Sequence, residues 1–298
     1  MIDGILILNK PKGISSGVFV RKLQSLFSKK KKIGHAGTLD PLASGILIVC
    51  IGEMTKFVNF LTKENKTYLA EVSLGIKTDS GDMDGRVIER SKRTPSRLAL
   101  EKKLKSFVGV IDQKPPIYSS LKYKGKPYRY YAAKGIEIEI KSRKVTIHSI
   151  SLESFEENKF KFSVKCGPGT YIRTLAEDIC ESLGSWGTIS TLIRTESAGF
   201  DLSQSSNIDD LTVKNLNEKI IPSGDALKCL DRIQCRPEIV EKITNGQMIE
   251  IEEAKEDGFF RFFDQKENFV GIVESYNGFL KPKRLLGNFN NVGENTWA

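Results

Sequence analysis

The sequence predicts an α+β protein with a small, mainly β region at its C-terminus. Residues 67–74 and 160–166 alternate apolar and polar side chains at period two, the mark of half-buried strands. Between and around them, Val20, Leu23 and Phe27, and later Ile172, Leu175, Ala176, Ile179 and Leu183, recur at helical spacing. Beyond about residue 230 the texture changes to short strand-like runs at 247–251, 259–263, 269–274 and 281–286. That change divides the chain into 1–229 and 230–298.

A chain of 298 residues with 28% charged side chains can bury a sizeable core. The net charge of +9 is uneven: residues 230–298 hold nine Lys/Arg against twelve Asp/Glu, and the first 229 hold 37 against 25. A polyanion would therefore dock mainly on the N-terminal part. Five cysteines form no CxxC pair, and His35 and His148 are the only histidines, so no zinc spacing exists and reduced thiols are expected. The only apolar run near the N-terminus, 5–8, is too short for a signal peptide or membrane span, which predicts a cytoplasmic protein without membrane contact.

Taken in order, residues 2–8 read as a strand ended by Asn9-Lys10-Pro11-Lys12-Gly13, and Ser15 and Ser16 can cap the helix that follows. The lysines at 29–32 lead into Gly34-His35-Ala36-Gly37-Thr38-Leu39-Asp40-Pro41-Leu42-Ala43-Ser44-Gly45, and then into an apolar strand, 46–51. Asp40 is the only charged side chain from 33 to 52. Pro41 biases Asp40 towards extended backbone, and a lone carboxylate beside a cationic run suits a nucleophile or base for an anionic substrate. The plainer alternative is an Asp-Pro turn.

In strand 67–74, Tyr68, Ala70, Val72 and Leu74 share a face. The turn Asp79-Ser80-Gly81-Asp82-Met83-Asp84-Gly85 is not a calcium loop: aligning Asp82 and Asp84 puts Ser80 and Ser91 where acids are required. After Pro95-Ser96, Leu98, Leu104 and Phe107 mark a helix. Residues 114–134 hold five of the eight tyrosines interleaved with Lys and Arg. That pattern suits unstacked bases and phosphates, or equally a tyrosine-rich core edge with lysines reaching outward.

Strands at 145–152 and 160–166 follow, with Phe160, Phe162, Val164 and Cys166 inward. The turn Gly167-Pro168-Gly169-Thr170-Tyr171-Ile172-Arg173 is only half of a dinucleotide fingerprint. It opens a helix that stops at Gly184. Arg173 sits in that helix's first turn, against the macrodipole, so a nearby carboxylate or phosphate is expected.

GHAGTLDPLASGIL, the opening LILNKPKGISS, the segment KTYLAEVSLGIKTDSGDMDG and the turn CGPGTYIRTLAEDIC together resemble the bacterial TruB family. These are tRNA pseudouridine synthases acting on uridine 55 of the TΨC loop. The tail NGQMIEI…GIVESYNGFLKPKRLL resembles the PUA RNA-binding domain that accompanies them. The resemblance implies a mixed, mostly antiparallel central sheet flanked by helices, and the TΨC stem-loop of tRNA as partner, with no obligatory protein partner. It makes Asp40 the catalytic aspartate, paired with Arg173, and Tyr68 the residue that stacks on the flipped base. Tyr171 would lie near uracil C5. Leu192 would line the uracil pocket, His35 would enter the T-loop, and Lys10 and Pro11 would lie near the active site. One departure is the turn CGPG, where the family commonly has CSKG.

The implied isomerisation exchanges neither electrons nor phosphoryl groups, so no cofactor or metal is expected. That agrees with the absence of a P-loop, a Rossmann fingerprint and zinc ligands. A non-catalytic RNA-binding or RNA-folding protein, and a relative working inside a guide-RNA particle, remain open. Because every candidate residue precedes 230, loss of the tail is expected to weaken RNA binding and spare the chemistry.

Overall fold

The computed structural model describes residues 3–27, 30–251 and 256–287. Ile2, where the sequence starts the first strand, and Lys29 of the lysine run lie outside them. The N-terminal part is built on a ten-stranded sheet. Its main strands are β1 (Gly4–Lys10), β2 (Ile33–Ala36), β3 (Ser44–Ile51), β4 (Lys66–Leu74), β5 (Gly109–Gln113), β6 (Arg143–Glu156), β7 (Lys159–Cys166) and β8 (Gly187–Ser197). The order runs from the short strand Ile221–Pro222 through β1, β3, β8, β4, β7 and β6 to β5, with β2 paired on β3 and Phe200–Asp201 on β8. Every pair is antiparallel except β3–β8, whose parallel register covers only Ser44 with Ile193 and Gly45 with Arg194.

β1 and β3 are apolar on both faces because both faces are covered, as the unbroken runs of their sequences require. One face packs on α1 (Ser16–Leu23) through Phe19, Val20 and Leu23. Ser15 caps this helix by accepting from the Val18 N–H, whereas Phe27 falls beyond its end. β4 and β7 alternate, so Ala70, Val72, Phe160, Phe162 and Val164 lie beneath α4 (Ile172–Glu181) and α2 (Arg97–Ser106). α2 buries Leu100 and Leu104; Leu98, expected on its inner stripe, is 76% exposed. The stripe of α4 is as expected, and its chain leaves at Gly184 with φ of 69°.

β2, β5 and β8 are additional to the strands read from the sequence. In β8 two irregularities, at 189/191 and 194/196, break the alternation that would have announced it. Residues 114–134 form a small hairpin, Lys122–Tyr123 with Lys126–Pro127, followed by α3 (Tyr128–Ala133). All five of their tyrosines are half-buried.

The C-terminal sheet runs β9 (Asp231–Gln234), β10 (Gly258–Phe263), β11 (Phe269–Tyr276), β12 (Phe279–Leu285) and the short strand Ile249–Glu250. A helix not anticipated there, α5 (Pro237–Thr244), packs Val240 and Ile243 into its core. No helix among the described residues is long and apolar enough to cross a membrane.

Candidate active site

The Asp40 loop is held from below. The Ser16 hydroxyl donates to the Leu39 carbonyl and accepts from the Leu39 N–H, both at 2.8 Å. The Gly13 N–H reaches the Pro41 carbonyl at 2.7 Å, and the Ala43 N–H reaches that of Asp40 at 3.1 Å. The loop enters β3 at Gly45, with φ of +99°, where a Cβ would lie 2.3 Å from the Arg194 carbonyl. Only glycine fits this junction.

Arg173 approaches from the first turn of α4 and is 4% exposed. Its Nε lies 2.9 Å from Asp40 Oδ2. The N–H is not aimed along that line, so the contact is an ion pair rather than an aligned hydrogen bond. The contact is therefore not two-pronged. Nη1 instead donates to the Ser80 carbonyl at 2.5 Å and lies 3.6 Å from Asp82 Oδ2, while Nη2 donates to the Tyr118 carbonyl at 2.8 Å. Burial pushes the Asp82 carboxyl above its usual range, with the Ser80 hydroxyl and Arg173 opposing the shift. Two carboxylates thus compensate a cation that the helix dipole disfavours.

A cleft of about 370 Å³ opens beside this pair and is lined by Asp40, Tyr68, Tyr171, Arg173 and Leu192. The size is that of a small-ligand site. Tyr68 lies on the inward face of β4 at 8% exposure, and burial raises its phenol pKa. Gln113 on β5 holds Tyr171 by both backbone groups, accepting from its N–H at 2.8 Å and donating to its carbonyl at 3.1 Å. The Arg143 guanidinium stands 5.0 Å from the centre of the Tyr171 ring. A second cavity shares Asp40 and Arg173 with the first and is also lined by Asp79, Asp82 and Arg129.

Lys10, Pro11 and His35 line neither cavity. Lys10 is fully buried, and its ammonium donates to the Pro11 and Ile14 carbonyls at 2.8 and 2.7 Å. Burial lowers its pKa to about 8, with Asp40 opposing. It bolts the 10–14 turn behind the Asp40 loop. His35 is half-buried on β2; burial and then Arg194 lower its pKa, and its Nδ1 has no hydrogen-bond partner among the described residues.

Five cleft-associated residues had no role in the sequence reading: Lys66, Asp82, Gln113, Arg143 and Arg194. For Asp82 the signal was the acidic turn itself, tested only for calcium. Among the described residues, no three His, Cys, Asp or Glu side chains cluster as a metal site.

Two solved structures share the fold. A Cbf5–Nop10–Gar1 complex matches with a TM-score of 0.71 and 23% identity over 91% of this chain and 78% of that chain. An H/ACA RNP bound to a substrate RNA containing 2'-deoxyuridine matches with a TM-score of 0.70 and 21% identity over 95% and 84%. A family model described as "TruB family pseudouridylate synthase (N terminal domain)" matches residues 24–172, and one described as "Pseudouridine synthase II TruB, C-terminal" matches 233–286. The family models define a pseudouridine synthase, an isomerase.

The curated relatives narrow the class. The tRNA pseudouridine synthase B of Hydrogenovibrio crunogenus is 38% identical over 98% of this chain and 96% of its own. That of Clostridium kluyveri is 39% identical over 91% and 95%. The chain belongs to the TruB family.

Proposed function

We propose that the protein converts uridine 55 in the TΨC loop of tRNA to pseudouridine, with Asp40 as the reacting carboxylate. The observation that carries this reading is the Asp40–Arg173 ion pair at 2.9 Å on the wall of an aromatic cleft. Arg173 supplies the opposite charge beside Asp40 when RNA closes the site and removes water. Asp40 attacks ribose C1′ or takes the C2′ proton, the C1′–N1 bond breaks, and uracil turns and rejoins through C5.

The target base lies inside a folded loop and must be flipped out, at a cost of a few kcal/mol. Stacking on Tyr68 returns about 1–3 kcal/mol of that. Leu192 walls the base, and Tyr171 faces C5, which loses its proton in the final step. The half-exposed tyrosines and lysines of 114–134 serve as an RNA-binding segment, as their chemistry suits. Residues 230–298 act as a PUA-like RNA-binding unit.

The test is the purified chain on a bare tRNA transcript, with pseudouridine detection. Wild type should convert the transcript unaided. Asp40→Asn should bind it and form no product; near-normal turnover by that variant would remove Asp40 from the mechanism. A requirement for an added guide RNA or protein would overturn the single-chain reading.

A further inference from the structure

Two buried cations line the cleft and make no ion pair among the described residues. Lys66, at the start of β4, is 7% exposed, and Arg194, on β8, is fully buried; both line the cleft. The Lys66 ammonium donates to the Thr62 and Glu64 carbonyls at 2.9 and 2.6 Å. Arg194 donates from Nε to the Ile46 carbonyl at 2.8 Å and from Nη2 to that of Gly37 at 2.9 Å. All four acceptors are neutral. Among the described residues, neither side chain makes an ion pair, and Asp40 and Asp82 are already taken by Arg173.

The two are packed together across Gly37, where a Cβ would lie 3.3 Å from Arg194 Nη1 and 3.3 Å from Lys66 Cε. Tyr68 pairs with Arg194 across the strands, so the two cations adjoin the residue proposed to stack on the base. Burial and then Arg194 lower the Lys66 pKa to about 8; Cys166 and Glu64 oppose. Buried charge is normally paired, because its desolvation is otherwise uncompensated. An unneutralised pair beside a reacting carboxylate is arranged for negative charge that comes with the reaction.

We propose that Lys66 and Arg194 hold the negative charge of the uracil ring while it is detached from ribose. When C1′–N1 breaks, both bonding electrons leave with the ring, which becomes a monoanion spread over N1, O2 and O4. The ribose carbon either bonds to the Asp40 carboxylate oxygen or has lost its C2′ proton to it. The ring anion then turns against the cationic floor, and its C5 electron pair bonds to C1′ as the C1′–O bond to Asp40 breaks or as Asp40 returns the proton to C2′; C5 then gives up its proton to a base, and N1 takes one. The cations act only on charge absent from bound substrate, which is where fixed charge accelerates a step.

This inference rests on the isomerase reading, and the experiment separates the two. Single-turnover rates at saturating tRNA transcript are compared for wild type, Lys66→Met and Lys66→Arg, with tRNA affinity, its salt dependence and thermal midpoints alongside. Lys66→Met should lose about 100-fold or more in rate, as removal of one charge-stabilising donor does. Its tRNA affinity and salt slope should be unchanged. In wild type, kcat/KM should fall above about pH 8 as Lys66 loses its proton, and Lys66→Arg should move that fall to higher pH, because guanidinium stays protonated.

A Lys66→Met enzyme with wild-type rate overturns the proposal, and so does a reduced salt slope, which marks a phosphate contact instead. If Lys66→Met does not fold, the pH limb of Lys66→Arg decides. A limb that stays in place assigns it to another group, such as Lys10, and overturns the proposal. A wild type that makes no pseudouridine defeats the isomerase reading itself.

Discussion

Arg173 divides one guanidinium among Asp40, the Ser80 and Tyr118 carbonyls, and Asp82. No lysine ammonium reaches four partners spread around a planar fork, so Arg173→Lys should lower kcat by about 10²–10³-fold despite keeping the charge. Single-turnover assays check this, and the Asp40→Asn/Arg173→Lys pair should be scarcely worse than Asp40→Asn alone. One turn on, Glu177 packs against Gly81, and burial together with Asp178 raises its pKa to about 7. Folded protein thus keeps a proton that the unfolded chain releases near 4.5, so stability is full at low pH and is lost as pH rises from there through 7. Glu177→Gln should flatten that slope and stabilise at pH 8 by on the order of 2 kcal/mol in thermal unfolding curves. Asp40 was legible as a solitary charge, and Arg173 as a cation against a helix dipole. Lys66 and Arg194 were not, because among 46 basic residues only strand register decides which of those on strands point inward.

At the scale of elements, the Asp40 loop depends on a neighbour from another segment. Ser16 was read as a possible cap, yet Ser15 caps α1 and Ser16 clamps both backbone groups of Leu39. Ser16→Ala leaves that buried pair unsatisfied, so it should cost about 1–3 kcal/mol in unfolding and lower kcat more than it raises KM. Gly45→Ala should be worse, because both its backbone conformation and the Arg194 carbonyl exclude a side chain; little folded protein is expected on expression. The long apolar or alternating strands were readable because their periodicity reports one environment throughout. β8 was not, since its two irregularities reverse the alternation midway. Its apolar and basic residues therefore looked unpatterned, although it supplies Leu192 and Arg194 to the cleft.

At the scale of the molecule, the boundary near 230 is clear in texture but not in packing. Ile272 of β11 is fully buried in one cluster with Ile5, Ile7, Ile48 and Phe57. Phe57 meets Phe269 at 5.8 Å and Phe60 meets Phe259 at 5.6 Å between ring centres, and Arg261 donates to the Leu230 and Gly224 carbonyls. The composition of the tail suggested a detachable unit whose loss would weaken only binding. These contacts change that expectation: a chain ending at 229 exposes a contiguous apolar face. It should bind a hydrophobic dye, melt several degrees lower and aggregate, as light scattering and circular dichroism would report. Sequence periodicity describes one element against its surroundings and carries no information about which elements share a core.

Among the pairings of β1 to β8, the two-residue parallel contact between β3 and β8 is the narrowest link. β1, β2 and β3 lie on one side of it, and β8, β4, β7, β6 and β5 on the other. Asp40 belongs to the first group, whereas Tyr68, Tyr171, Arg173 and Leu192 belong to the second. Each group can collapse on its own antiparallel ladders, but activity exists only once the seam between them has closed. After dilution from denaturant, the fluorescence of Trp186, which the Lys77 ammonium overlies at 3.9 Å within the second group, should recover first. Turnover should return in a later phase, because the seam joins residues about 150 positions apart and long loops close slowly. Enzymatic competence is then the last property the chain acquires, and a refolding population can look native by fluorescence while still unable to react.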